Sequence, residues 1–206
     1  MTDIRTRAAG TALVAAGAIF FGAEFIAAAA WTDPPYSYTH HFISNLGVRG
    51  PAEAFGQFMY SPLAWVMNAG FFLFGIAALA GVTLLPARRR WPLILMAAVL
   101  AAGGVLLAFF PGSGEETAAG DYHGLGAFAA IVGGNVLVIL LGRIGPAREG
   151  GRPLVVLGVL GLVGLGVFFA VLMSGAGILI GLAERAAVYP LLLGLIRAGL
   201  VIMKRR

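Results

Sequence analysis

Long apolar runs separated by short polar breakers organise the whole chain. Six runs stand out, at roughly 8–30, 62–85, 92–110, 123–141, 153–174 and 184–203. Each approaches the roughly 20 residues that carry an α-helix across the hydrocarbon core of a bilayer. None alternates polar and apolar residues as the strands of a transmembrane barrel do. The pattern predicts an all-α fold: a polytopic transmembrane helical bundle of six spans, forming one domain over 1–206. Pro62, Pro92 and Pro153 open three of the runs, where the missing N–H costs nothing. The first connection, 31–61, is longer than a simple helix link. It holds Pro34-Pro35, several aromatic residues and the run His40-His41-Phe42-Ile43-Ser44-Asn45-Leu46-Gly47. The stretch 51–60 reads as a short helix lying on the interface.

Composition narrows the class further. Of 206 residues, 60% are hydrophobic and 11% charged, against about a quarter charged in soluble domains. A soluble enzyme, a secreted disulfide scaffold and a disordered chain are all excluded. With no cysteine, thiol catalysis and Cys-ligated metal are excluded too. The net charge of +5 reads as topology, not as an affinity for nucleic acid. Arg5 and Arg7 precede the first span, Arg88, Arg89 and Arg90 fill the second connection, and Arg143, Arg148 and Arg152 fill the fourth. Lys204, Arg205 and Arg206 end the chain, while the odd connections hold only Arg49 and Arg185. Basic residues gather on the cytoplasmic side, so both termini are expected inside. Trp31, Trp65, Trp91, Tyr36, Tyr38, Tyr60 and Tyr189 fall near span ends, as interfacial aromatics do. The first run mimics a cleavable signal peptide, but its length and Glu24 favour an uncleaved helix. Gly158, Gly161 and Gly164, with Gly177 and Gly181, allow close helix approach, inside one bundle or between two copies.

Ionisable groups inside a membrane are costly, on the order of 2.5–3.5 kcal/mol each at a helix centre, so their positions inform. Glu24 lies about 9 Å below the outer end of the first span at 1.5 Å per residue. Asn68 lies at a similar depth in the second span. His123 opens the fourth span from outside, and Glu184 with Arg185 opens the sixth. Asn135 and Arg197 occupy the cytoplasmic half. All three histidines are on the outer side, so any chemistry faces outward. Glu24 needs a partner, and Arg185 or a histidine is available; alternatively it is protonated. His40, His41, Asp121, His123 and Glu184 are the candidate metal ligands, in a donor set that suits zinc. They match no established ligand spacing. Glu115, Glu116 and Asp121 read as a solvated loop. Ser44 reads as a capping serine or, near the histidines, as a nucleophile.

The ordered set His41-Phe42-Ile43-Ser44-Asn45-Leu46-Gly47, Asn68 within Pro62–Gly70, His123, and Gly181-Leu182-Ala183-Glu184-Arg185 resembles the bacterial and archaeal family DUF998, a domain of unknown function. The resemblance implies a six-span protein of the prokaryotic cell (inner) membrane and no particular reaction. It points to Ser44, Asn45, Gly47, Asn68, His123, Glu184 and Arg185; Asn45 stands where relatives are expected to carry an acid.

Two classes of function follow. In the first, Glu24, Ser44, Asn45, Asn68, His123, Glu184 and Arg185 line an outward-facing pocket for a lipid headgroup, small amphiphile or ion. In the second, a zinc held by His40 or His41, His123 and an acid (Asp121 or Glu184) activates water to cleave a lipid-like substrate, with Glu24 as acid or base. An accessory subunit of a larger membrane complex is a third reading. The expected partners are membrane lipids, with a homo-oligomer or complex partner open.

Overall fold

The computed structural model describes residues 2–54, 56–86, 90–112, 118–147, 151–175, 177 and 179–204. Among them are six long helices: α1 (Thr2–Ala30), α2 (Ala64–Leu84), α3 (Trp91–Phe109), α4 (Ala118–Arg143), α5 (Arg152–Ser174) and α6 (Ile180–Lys204). Each is long and apolar enough to cross a membrane, so the all-α polytopic bundle expected from the apolar runs is the fold. Arg88, Arg89, Glu115, Glu116, Arg148, Arg205 and Arg206 lie outside the described residues, as does the side chain of Asp121.

Each helix packs against the next in sequence, α6 returns against α1 to close a ring, and α6 also meets α4. Gly10 of α1 sits against Gly199 and Met203 of α6, so both chain ends lie at one end of the bundle. The other end carries the 31–63 connection and is called here the cap end. Pro92 and Pro153 occupy the first turns of α3 and α5, where proline is preorganised for a helix.

The interior is apolar, with Leu13, Met67, Phe74, Leu100, Leu137 and Leu154 fully buried. Large side chains such as Phe72, Leu95, Phe128 and Val163 point outward. An outward apolar surface is what a lipid-facing bundle presents, since the bilayer replaces water as solvent. Trp65 and Trp91 are 70% and 75% exposed at opposite ends of the bundle, where interfacial aromatics belong. Trp31 is not one of them: it is 2% exposed, because the connection folds back over it.

That connection departs from expectation. In place of an interfacial helix over 51–60, an antiparallel hairpin pairs β1 (Ala52–Ala54) with β2 (Gln57–Met59), Ala52 opposite Met59. Gly56 takes a φ of +70°, a left-handed conformation that ends a helix and suits a tight turn. Ahead of the hairpin, Ser44–Gly47 forms a 3-10 turn.

Gly158, Gly161 and Gly164 of α5 face inward, while Gly166 is exposed. A side chain at Gly158 or Gly161 would meet α4, and one at Gly164 would meet α6. Asn135 fills the space Gly161 leaves, and its amide donates to the carbonyls of Ile131 (2.9 Å) and Ala187 (3.0 Å). Gly177, by contrast, approaches no neighbour.

Candidate functional site

Polar side chains gather at the cap end in two arrangements. The first is built on Arg185. Helix α6 begins at Ile180, a turn earlier than the sequence suggests, because Gly181 is helical under the carbonyl of His41, where any Cβ would collide. Glu184 and Arg185 therefore project from inside the helix, 8% and 4% exposed.

A guanidinium carries five N–H donors, and Arg185 uses all of them. Nε donates to Glu24 Oε1 at 3.1 Å, and Nη2 contacts the same oxygen at 2.9 Å. Nη2 also donates to the Tyr36 hydroxyl at 2.5 Å. Nη1 reaches the carbonyls of Tyr38 (2.8 Å), His41 (3.2 Å) and Gly181 (2.9 Å). The Tyr189 hydroxyl adds a third donor to Glu24 Oε1, at 2.9 Å. Tyr36 passes its own proton to the carbonyl of Phe42 at 2.9 Å. Burial pushes the Tyr36 phenol well above its usual range against the pull of Arg185, so it remains a donor. The Tyr38 ring lies under the guanidinium, 4.7 Å from its centroid, within cation–π range. Glu24 Oε2 is buried with no hydrogen-bond partner among the described residues.

Glu184 acts beside this cluster. Its Oε2 accepts the backbone N–H of Ile43, just ahead of the 3-10 turn. Asn68 of α2 donates to the carbonyl of Gly47 at 3.0 Å and fixes the other end of that turn. Asn45 donates to Gln57 Oε1 (2.6 Å), and Gln57 donates to the carbonyl of His40 (2.5 Å). The hairpin is thereby tied to the loop.

Different neighbours surround the second arrangement. A partly open cavity of about 110 Å³ is lined by Ser44, Asn45 and His123 together with apolar Phe42, Met59 and Leu172. His123 Nδ1 sits 2.8 Å from the carbonyl of Phe110. A carbonyl only accepts, so Nδ1 carries the proton and Nε2 of the neutral ring is a free acceptor. Ser44 is the first residue of the 3-10 turn, whose N-cap is Ile43; it lines this cavity and also a narrow inner one of about 30 Å³, bounded by Phe71, Phe74, Leu107 and Glu184. A third cavity of about 210 Å³ adjoins the first. Phe42 and Leu172 belong to both, and Gln57, Val171, Gly175 and Ile180 complete its wall beside the end of α5. Phe169 and Met173 of that helix end are 40% and 86% exposed.

Of the expected metal ligands, Asp121 has its side chain outside the described residues. Among the described residues no group of three or more His, Asp or Glu side chains is placed to hold a metal ion. His40 is exposed. His41 stacks on Trp31 and Tyr36 at centroid distances of 5.1 and 5.3 Å, and its Nδ1 accepts the N–H of Ser37 at 2.9 Å. Burial, then the neighbouring His40 and Arg185, lowers the His41 pKa below its usual value.

Sequence reasoning offered Arg185 or a histidine as the partner of Glu24, or a protonated carboxyl, and missed the tyrosines, reading Tyr36, Tyr38 and Tyr189 as interfacial. Tyr189 was findable: it follows Arg185 by four positions on one helix, so the two share a face. Phe42, Gln57 and Leu172 carried no signal in a chain so rich in apolar residues.

Fold and cap together define a multi-pass membrane protein whose buried charged side chains, among the described residues, lie at one end of an apolar bundle. Residues 14–201 match the family described as protein of unknown function (DUF998), and the chain belongs to that family. No curated protein and no solved structure matches it.

Proposed function

We propose that the protein binds a single-chain amphiphile, with its headgroup in the His123 cavity and its chain along the adjoining cavity at the end of α5. The observation that carries this reading is that the two neighbouring cavities share Phe42 and Leu172 in their walls. One space offers an imidazole acceptor, a hydroxyl and an amide; the other sets Val171, Leu172 and Ile180 beside Gln57 and two glycines, next to a helix end with exposed apolar residues. A ligand with a small polar head and an apolar tail can place its head at His123 and its tail along those three side chains, since mostly apolar sites with a few placed polar groups are the usual form of ligand pockets. Volume supports the placing of the head: a cavity of about 150 Å³ admits benzene, so about 110 Å³ suits roughly five heavy atoms. The inner cavity, at about 30 Å³, is too narrow for a chain.

On this reading the cap end faces outward from a prokaryotic cell membrane and both termini are cytoplasmic. Support comes from the basic residues: Arg5, Arg7, Arg90, Arg143, Arg152 and Lys204 belong to the opposite end.

Native mass spectrometry of detergent-solubilised protein with a medium-chain monoacylglycerol tests the proposal. The wild type is expected to retain one equivalent. Leu172→Trp, which fills the junction of the two cavities, is expected to retain none. Equal retention by both proteins contradicts the proposal.

A further inference from the structure

The polar atoms around the His123 cavity are unequal in kind, and the inequality selects a headgroup. Resting on the amphiphile reading above, we infer that the site selects a head that donates hydrogen bonds, a hydroxyl or an ammonium, and rejects a phosphate.

Four observations converge. His123 Nε2 is an acceptor, because Nδ1 spends its proton on the Phe110 carbonyl. Asn45 already uses its amide nitrogen on Gln57, which leaves its carbonyl oxygen as the stronger offer to a ligand. Among the described residues no lysine or arginine lines any of the three cavities. Two cap-end cations adjoin lining residues in sequence: Arg185, beside Glu184, has all five of its donors engaged elsewhere, and Arg49, beside Val48, is exposed and is not part of the cavity wall. Glu184, whose Oε2 accepts the N–H of Ile43, shares the inner cavity wall with Ser44 and adds an acceptor and no donor to it.

A phosphate placed here would lose water and gain no cation from the cavity wall, and an unpaired charge taken out of water is strongly penalised. A hydroxyl or ammonium would instead meet His123 Nε2 as its acceptor, with Ser44 able to accept as well.

Affinities of three amphiphiles of one chain length decide the matter: a monoacylglycerol, a fatty amine, and a monoacylglycerol phosphate. The wild type is expected to bind the first two at least about tenfold more tightly than the third, the size of effect one hydrogen bond to a placed acceptor gives. His123→Phe keeps a ring of similar shape and removes Nε2; it is expected to erase that preference while the protein stays folded. Either order of the amine and the alcohol supports the inference, since both donate to His123 Nε2. A phosphate head bound as tightly as the other two overturns it, as does an unchanged preference in His123→Phe. Should the phosphate head bind and be excluded by Leu172→Trp, the amphiphile site stands and only the selectivity falls. If none of the three binds, both fall.

Discussion

The Arg185 cluster and the His123 cavity lie at the same end of the bundle and are built from the same kinds of residue, yet the guanidinium donors of one are saturated, although Glu24 Oε2 stays unpaired, and the other keeps acceptors beside open space. Around Arg185 every donor has an acceptor inside the chain. Around His123 an imidazole nitrogen and a hydroxyl border open space. A buried guanidinium with no donor to spare cannot greet a ligand without breaking the fold. What it does is hold α1, α6 and the 36–41 loop together. Burial and charge alone therefore do not mark a binding site; unspent hydrogen-bonding capacity beside a cavity does.

Breaking the saturated side should have the largest effect. Arg185→Ala leaves Glu24 buried and unpaired, which costs about 3–5 kcal/mol. A steep loss of thermal stability in detergent is the expected result, and a Tm within a degree or two of wild type would show that the cluster is not what holds the cap. Tyr189→Phe removes a single hydrogen bond to the Glu24 carboxylate and should cost about 1.5–3 kcal/mol. On the unsaturated side, His123→Phe gives up one bond to the Phe110 carbonyl, about 1 kcal/mol, while monoacylglycerol affinity falls at least about tenfold. Calorimetry and binding on the same preparation read both quantities.

The smallest effect belongs to His41. Its folded pKa lies below the ordinary value of 6.5, so the unfolded chain takes up its proton first as the pH drops. Its contribution is complete above about pH 6.5 and is lost as the pH falls below it, when a proton on Nδ1 would displace the Ser37 N–H. Melting at a series of pH values should show this slope flattened in His41→Gln. An unchanged slope would assign the pH dependence to another group.

Much of the fold was legible in the sequence because one physical term dominates it. Twenty-residue apolar runs have few alternatives in lipid, so the six helices follow from hydropathy. The Glu24–Arg185 pair was legible for the same reason: a charge at that depth needs a partner, and few were on offer. The hairpin at 52–59 was not, since Ala52-Glu53-Ala54 is good helix sequence and only the left-handed Gly56 overrides it. Nor was the cavity. It joins Phe42, Ser44 and Asn45 to His123 and Leu172, residues far apart in the chain and of types that recur along it, and only packing brings them to one space. Trp31 was misread because position near a span end does not reveal whether a loop will fold over it.

The contrast between the two arrangements is tested most directly by measuring Tm and monoacylglycerol affinity together for Tyr189→Phe and His123→Phe. The account predicts a crossed result: Tyr189→Phe melts earlier and binds as wild type does, while His123→Phe melts close to wild type and has lost its affinity. Binding that survives in His123→Phe but disappears in Tyr189→Phe would contradict it, placing the ligand at the Arg185 cluster.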